Sequence, residues 1–384
     1  MRKRTLQSIF IVTSLLVGLA FAGCKKQARS EKEGVEPFSK ESVKIGIIFP
    51  NELDEVSFYD WMHYRGIVEM QQKLDLDDSQ LIMHENVFEE RPSEIEAAVN
   101  ECISEGANII IGASWNYLDT MKKLAEEMPQ ALFVHMTGSE YRAANFITAS
   151  VKAYEARYLT GMIAGSKTKT NKVGFVAAMG KENYEVTSGL DAFAMGVESV
   201  NPDATVYVKV IHSWIDTMGE TDAANYLIDR GCDVITHHTN TANPMIAAEK
   251  RGVLGIGFNS DMSFSAPDAV MTSIVINWGV FYTQLVASVI DGTFTATPYF
   301  EGLAAGVVDI TNMDTRFIPE ALAKRVKAKR QEMIDGTFKC FSGTGGKLYT
   351  DTGELIKIPA DLTESAVYES IDWYYRNIVD CDVG

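Results

Sequence analysis

Residues 43–49 read VKIGIIF, an apolar run of strand length that contains one charged side chain. An amphipathic stretch predicts a helix at residues 57–74, and residues 81–87 predict a second strand. Short continuous runs of Val and Ile predict strands that are buried on both faces, and the stretches between them predict covering helices. The alternation continues with helices predicted at residues 92–104 and 116–127 and strands at residues 107–113 and 131–136. These elements predict a parallel sheet with helices on both faces.

The same alternation begins again at residues 172–179, which read KVGFVAAM. Further strands are predicted at residues 205–211, 233–237, 253–258 and 271–276, and helices at residues 186–199, 217–229 and 244–250. We therefore predict an α/β protein with two doubly wound parallel-sheet lobes around a ligand cleft. The predicted first lobe spans residues 43–150, with contributions from about residues 280–340, and the second lobe spans residues 151–278. Residues 338–384 are expected to form a C-terminal extension with a final helix near residues 363–379.

The composition excludes several classes of partner. The chain has 384 residues and a formal net charge of −17, which becomes more negative if the basic residues at positions 2–4 are removed. A surface this acidic repels phosphate backbones and anionic lipid headgroups, so we expect no binding to nucleic acid and no membrane binding by charge alone. A DNA-binding regulator with a two-lobed core is disfavoured for the same reason. We expect a monomer that binds a small molecule.

The N-terminus predicts export. Three basic residues at positions 2–4 precede an apolar run at residues 9–21, which is shorter than the roughly 20 residues that span a bilayer. The run ends at Phe21-Ala22-Gly23-Cys24, where small residues directly precede a cysteine, as in bacterial lipoprotein signals. We predict a signal peptide over residues 1–23, a lipidated Cys24, and a flexible polar tether over residues 24–42. This predicts a protein held on the cell membrane outside the cytoplasm; an ordinary cleaved signal or a signal anchor is the alternative.

No enzyme signature is present. Phosphate-binding glycine loops and the GxSxG nucleophile elbow are absent from the sequence, so we predict neither a catalytic site nor a cofactor. His237 and His238 are neighbours on a predicted strand and should point to opposite faces, which disfavours a metal site. The paired carboxylates Glu89 and Glu90 are expected on a solvated face.

The remaining cysteines have no metal-ligand spacing. They lie at positions 102, 232, 340 and 381, without a CxxC pair. In an exported chain they can form disulfides, and Cys340 and Cys381, which both lie in the C-terminal segment, could pair; equally, all four can be buried free thiols.

Aromatic and amide side chains follow the predicted strands at the points where these end. Ligands of doubly wound sheets meet the carboxyl ends of the strands, so we predict a binding site from these loops. Aromatic faces beside a few polar groups suit a flat, uncharged, hydrogen-bonding solute, although the aromatics can instead pack the loops against the sheets. Asp261 can accept from a ring N–H or cap the next turn. The predicted ligand-binding residues are Phe58, Tyr59, Trp115, Asn116, Trp214, Asp216, Asn240, Asn259, Asp261 and Trp278.

At these loops the sequence resembles the basic membrane protein family of ABC-transporter substrate-binding lipoproteins. The resemblance runs from about Lys44 to the C-terminus and includes NFITASVKAYEARYLTGMIAG at residues 145–165 and TNKVGFVA at residues 170–177. Its other motifs, in family order, are NPDA (201–204), HSWIDT (212–217), GCDVI (231–235), THHTNT (236–241), GIGFNSDM (255–262), NWG (277–279) and IDWYY (371–375). The HSWIDT, THHTNT, FNSDM, NWG and IDWYY forms resemble a subgroup linked to purine-base binding.

The resemblance implies a clamshell of the type I periplasmic-binding-protein kind, in which purine or nucleoside rings stack between aromatics of the two lobes. Tyr59, with Phe58 beside it, falls at the stacking position of the first lobe, and Trp214 at that of the second. Trp115 lies in a loop that lines the cleft in such proteins, and Asn240 stands where relatives often have Asp.

Two departures from the nucleoside-binding pattern bear on the solute. Asn259 replaces an Asp that holds ribose hydroxyls, and Ile276 replaces a Lys that is common in nucleoside receptors. These departures favour a free base or another flat heterocycle such as riboflavin. The implied partners are an ABC permease and its ATPase; a surface receptor without a transport role is the alternative.

Overall fold

The computed structural model describes residues 37–54, 57–138, 142–341, 348–358 and 362–382. The predicted signal peptide, Cys24 and most of the predicted tether lie outside the described residues. Within the described ranges, no helix is long and apolar enough to cross a membrane.

The first half of the chain alternates strands and helices in the predicted order. Its elements are β1 (Ile45–Ile48), α1 (Phe58–Leu74), β2 (Leu81–His84), α2 (Pro92–Ser104), β3 (Ile109–Gly112), α3 (Leu118–Glu127), β4 (Leu132–Met136), β5 (Arg142–Ala143), β6 (Phe146–Val151) and α4 (Ala153–Lys167). Every residue of β1 and β3 is buried, as expected for strands covered on both faces.

The second half repeats the alternation and then adds a C-terminal region. Its elements are β7 (Lys172–Ala177), α5 (Tyr184–Glu198), β8 (Thr205–Val210), α6 (Thr217–Asp229), β9 (Val234–His238), α7 (Asn243–Lys250), β10 (Leu254–Gly257), β11 (Val270–Ile276), α8 (Trp278–Ile290), β12 (Tyr299–Glu301), β13 (Val308–Ile310), α9 (Glu320–Ile334), β14 (Leu348–Tyr349), β15 (Leu355–Ile356), α10 (Glu364–Glu369) and β16 (Ile378–Asp380).

Two sheets confirm the predicted fold class. The first has the strand order β12-β6-β4-β3-β1-β2, with β5 paired to β6, and the second has the order β13-β11-β10-β9-β7-β8-β16. The pairs are parallel except for β5 with β6 and β13 with β11 in these two sheets. The strand order reverses at β1 in the first sheet and at β7 in the second, and ligands of such sheets bind beside these switch points.

The chain crosses between the lobes between β6 and α4, between β11 and α8, and between β12 and β13. Helix α8 packs against α1, and β12 extends the first sheet beside β6, so residues 278–301 belong to the first lobe. Helix α9 instead packs against α4 in the second lobe. Within the predicted contribution of residues 280–340, α8 and β12 thus pack with the first lobe, and α9 packs with the second.

The predicted final helix at residues 363–379 is wrong. Helix α10 ends at Glu369, and β16 pairs in parallel with β8 at the edge of the second sheet. Buried Asp191 of α5 accepts a hydrogen bond from the Tyr375 N–H (2.8 Å), and Arg376 pairs with Glu198 (2.8 Å). These contacts with α5 hold the segment in an extended conformation, and they join residues that are about 180 positions apart, which local sequence patterns cannot show.

The four cysteines of the described residues are free thiols. Cys340 is buried near the Tyr154 carbonyl, whereas Cys381 follows β16. The pair Cys340–Cys381 is therefore not formed in this structure. Burial raises the pKa of both thiols, so each is held in its protonated form.

Candidate functional site

A cavity of about 250 Å³ lies between the two lobes, at the carboxyl ends of strands from both sheets. Loops after β1 and β3 line it from the first lobe, and loops after β8, β9 and β10 line it from the second. The cavity is therefore where the strand-end rule predicts a ligand site.

The structure brings six of the ten predicted binding residues together around this cavity. They are Tyr59, Trp115, Trp214, Asn240, Asn259 and Trp278. Ile276 lines the cavity as well.

The two predicted carboxylates of the second lobe do not line the cavity. Asp216 is exposed and caps α6, where its Oδ1 accepts from the Gly219 N–H at 2.9 Å. Asp261 is exposed, and its Oδ1 accepts from the Ser263 N–H at 3.0 Å. A carboxylate just before a helix or turn satisfies free backbone N–H groups, and both residues have this capping role here.

Phe58 and Asn116 also lie outside the lining. The Phe58 ring packs against the apolar cluster of the second lobe that contains Met245 and Met262, and its N–H donates to the Asn240 carbonyl at 3.0 Å. Asn116 is exposed, and its Nδ2 donates to Glu89 Oε2 at 2.9 Å. Both residues therefore hold neighbours of the cavity in place without lining it.

A buried histidine supports the aromatic wall of the first lobe. The His63 ring stands edge-on to Tyr59 and is stacked on Trp278, each with a centroid separation of 4.5 Å. Its Nδ1 is 2.6 Å from the Tyr282 hydroxyl. Burial lowers the pKa of His63 to about 3, so the ring is neutral at physiological pH. Helices α1 and α8 thus present Tyr59 and Trp278 on a neutral aromatic stack.

The wall of the second lobe rests on a buried arginine. The His238 ring packs on Phe258 at 4.1 Å and lies 6.2 Å from Trp214. Behind Phe258, the Arg157 guanidinium lies 4.0 Å from the ring centroid and donates to the His237 carbonyl at 2.8 Å. Burial lowers the pKa of His238, and the positive charge of Arg157 acts in the same direction.

His237 and His238 lie on opposite faces of β9, as predicted. His237 points into the lobe, where its Nε2 is 3.2 Å from the Met262 sulfur, whereas His238 lines the cavity. In the part of the chain that the structure describes, no group of three His, Cys, Asp or Glu is arranged to hold a metal ion.

Several buried polar atoms of the lining have no hydrogen-bond partner among the described residues. They include Tyr59 Oη, Asn259 Oδ1, Trp278 Nε1 and His238 Nδ1. Asn259 also has a left-handed backbone, with φ of 70°, which a non-glycine residue adopts infrequently. Because an unsatisfied buried polar group costs free energy, these atoms are candidates for contacts with a polar solute.

Carboxylates from both lobes also line the cavity, namely Glu89 and Glu90 from the first and Glu185 from the second, and none of them was predicted as a binding residue. Glu89 follows β2, is half-buried and accepts hydrogen bonds from Ser114 and Asn116. Its predicted position on a solvated face is therefore wrong, and burial raises its pKa. Glu185 follows β7, and its Oε1 lies 3.7 Å from His238 Nε2. No Lys or Arg is among the described lining residues, so an anionic solute would meet no countercharge there.

The two lobes touch across the cleft. The Phe58 N–H of α1 donates to the Asn240 carbonyl after β9, and the Trp115 ring lies 5.0 Å from the Tyr184 ring of α5. The cavity is thus flanked by direct contacts between the lobes.

Comparisons with known proteins agree on one family. The family described as ABC transporter substrate-binding protein PnrA-like matches residues 42–340. A purine-binding protein of Brucella abortus is 31% identical over 80% of this chain and 87% of its own length. A putative ABC transporter glucose-binding protein of Haloferax volcanii is 28% identical over 81% of this chain and 77% of its own length.

Solved structures show the same fold at lower identity. A solute-binding protein of an ABC transporter system from Conexibacter woesei has a TM-score of 0.62 at 19% identity, covering 77% of this chain and 98% of its own. A transcriptional activator of the comK gene from Bacillus halodurans has a TM-score of 0.66 at 18% identity, covering 77% of this chain and 99% of its own.

Proposed function

Because the chain belongs to the PnrA-like family of ABC transporter substrate-binding proteins, we propose that it captures a purine base or nucleoside in the cavity between its lobes. It then delivers this solute to a membrane permease that is driven by an ATPase. The 31% identical relative named as purine-binding supports this ligand class.

The observation that carries the proposal is the chemistry of the cavity wall. Aromatic side chains approach from both lobes, with Tyr59, Trp115 and Trp278 on one side and Trp214 on the other. Unpartnered polar atoms lie between them, and no described lining residue is cationic. A flat, neutral ring with polar edges satisfies all three features, since its faces stack and its edges accept or donate hydrogen bonds.

The lining favours a free base over a nucleoside. Asn259 and Ile276 stand where the family's nucleoside receptors typically have an Asp and often a Lys, and both line the cavity. The cavity volume of about 250 Å³ lies near the lower end of the roughly 300–1,000 Å³ of ligand pockets, which supports a small solute.

Calorimetric titration tests the ligand class. The chain from Lys25 onward is unfolded and refolded to remove any bound solute, and is then titrated with adenine, hypoxanthine, adenosine, inosine, riboflavin and glucose. We expect saturable binding of at least one purine, with bases tighter than nucleosides. Binding of riboflavin or glucose alone would overturn the purine assignment and leave the family intact.

The membrane anchor is a separate part of the proposal. The sequence Phe21-Ala22-Gly23-Cys24 supports lipid attachment at Cys24 after removal of the signal peptide. We expect the wild-type protein in the membrane fraction of expressing cells and the Cys24→Ser variant in the soluble fraction or as an uncleaved precursor. An unlipidated, processed protein that stays in the membrane fraction would contradict the anchor.

An uptake experiment distinguishes a transport protein from a receptor that only senses its solute. Deletion of the gene should abolish uptake of the radiolabelled purine at low external concentration. Uptake that is unchanged in the deletion strain would favour the receptor.

A further inference from the structure

Two carboxylates face the same cavity from opposite lobes. Glu89 lies after β2 in the first lobe, and Glu185 lies in α5 of the second lobe. Both act on the phenol of Tyr59: burial raises its pKa, and the negative charges of Glu185 and Glu89 raise it further. The two carboxylates are therefore within electrostatic reach of one side chain in the lining.

The protein itself neutralises neither carboxylate with a cationic lining residue. Glu89 accepts from the neutral groups Ser114 Oγ and Asn116 Nδ2. Glu185 faces His238, whose pKa is lowered by burial, so that ring is uncharged at physiological pH. Asn259 adds a third acceptor, because its Oδ1 has no hydrogen-bond partner among the described residues. The charged side chains of the described lining are thus all carboxylates.

We infer that Glu89 and Glu185 form a carboxylate pair that selects solutes carrying N–H donors on two separate edges. This inference rests on the proposed function and narrows its ligand class. A purine base such as adenine has an exocyclic amine on one edge and a ring N–H on the imidazole side. Each N–H can donate to an ionised carboxylate, and such charge-assisted bonds are stronger than neutral ones. A solute that bridges the pair also favours the arrangement in which the lobes meet.

Glutamine variants test the pair. Glu89→Gln and Glu185→Gln keep the shape of the side chain and remove its charge. The control is Glu126→Gln on α3, because Glu126 is exposed and lies outside the lining, whereas Glu90 beside Glu89 lines the cavity. Wild type and variants are titrated with adenine and hypoxanthine, and circular dichroism confirms that each variant is folded. We expect each variant of the pair to bind the preferred base roughly 10- to 100-fold more weakly, and the control to stay within about 3-fold.

Methylated bases show whether the carboxylates bind the N–H groups of the base directly or only stabilise the loops around the cavity. 9-Methyladenine lacks the imidazole N–H, N6,N6-dimethyladenine lacks the N–H donors of the exocyclic amine, and caffeine has no N–H. If a carboxylate accepts a hydrogen bond from one N–H of the base, the losses of affinity from removing that N–H and from replacing that carboxylate by Gln should not add up. This comparison is a double-mutant cycle between base and protein. Weakening that is equal for parent and methylated bases would show a structural role and overturn the inference.

The outcomes distinguish the inference from the proposed function. If the wild type binds adenine or hypoxanthine and both glutamine variants bind it equally well, the carboxylate pair is refuted and the purine assignment stands. If the wild type binds caffeine as tightly as the parent bases, the donor requirement is wrong. If it binds no purine, the proposed function fails and the inference fails with it.

Discussion

Tyr59 and Trp214 reach the cavity from opposite lobes, and neither belongs to a fully buried core. We expect Tyr59→Ala and Trp214→Ala each to weaken purine binding by roughly 10- to 100-fold, because base–aromatic stacking contributes about 1–3 kcal/mol per base. Titration calorimetry measures the change. Trp61→Ala is the matched control, because Trp61 lies on α1 beside Tyr64 and outside the lining. Unchanged affinity in both cavity variants would refute stacking.

Asp60 makes folding stability depend on pH. It is fully buried and accepts from Ser57 Oγ at 2.6 Å and Asn51 Nδ2 at 2.9 Å, and burial raises its pKa to about 6 from 3.8. Because the folded state binds this proton more tightly than the unfolded state, its contribution to stability is present below about pH 4 and is lost as the pH rises to about 6.

Asp60→Asn removes this titration. The free energy of unfolding of the variant should therefore rise relative to wild type between pH 4 and pH 7, by about 1–3 kcal/mol. Urea denaturation at pH 4, 5, 6 and 7 measures the difference in the free energy of unfolding. The control is Asp291→Asn at an exposed position, which should differ from wild type by the same amount at each pH. A constant difference between Asp60→Asn and wild type across this range would contradict the shifted pKa.

The sequence predicts the aromatic part of the lining better than its acidic part. Tyr59, Trp115, Trp214 and Trp278 follow predicted strands, and all four line the cavity. Glu89 and Glu185 follow β2 and β7. The carboxyl ends of these strands also face the ligand site, but no binding residue was predicted after them. For Asp216 and Asp261, the position after a strand does not distinguish a capping carboxylate from a ligand-binding one. The side-chain rotamer determines whether the carboxylate turns to the backbone N–H groups or to the cavity.

Helices α4 and α5 pack so closely that two glycines are required. A Cβ at Gly161 would collide with the carbonyl oxygen of Phe193, and one at Gly196 with the carbonyl oxygen of Tyr158. Backbone atoms cannot move aside as a flexible side chain can, so Gly161→Ala must separate the helices.

We expect Gly161→Ala to lower the free energy of unfolding by about 1–3 kcal/mol or more. Exposed Ser166→Ala on the same helix should change it by less than about 0.5 kcal/mol. Denaturant titration monitored by circular dichroism compares the two. A Gly161→Ala variant as stable as wild type would show that the helices are not this close.

The elements of the two sheets follow from local patterns, but the C-terminal region does not. Predicted and observed bounds agree within a few residues from β1 to α3 and from β7 to β11, because buried parallel strands and amphipathic helices carry strong periodicity. Strand β16 was missed because a three-residue edge strand has almost no local signature. Its place depends on β8 and α5, which precede it by more than 150 residues.

At the scale of the whole molecule, a solute acts on the contact between the lobes. The Phe58–Asn240 hydrogen bond and the Trp115–Tyr184 contact join the lobes at Asn240 and Trp115, which line the cavity. A solute can shift the balance between open and closed arrangements only through contacts that differ between them. A ring that contacts both Tyr59 and Trp214, as proposed, would make such contacts and favour the closed arrangement.

A crystal structure of the refolded protein with its tightest-binding purine tests the central claim most directly. We predict that the purine ring lies between Tyr59 and Trp214, with polar atoms within hydrogen-bond distance of Asn259 and of at least one of Glu89 and Glu185. A purine bound elsewhere on the protein, or a cavity that remains free of purine at saturating concentration, would contradict it.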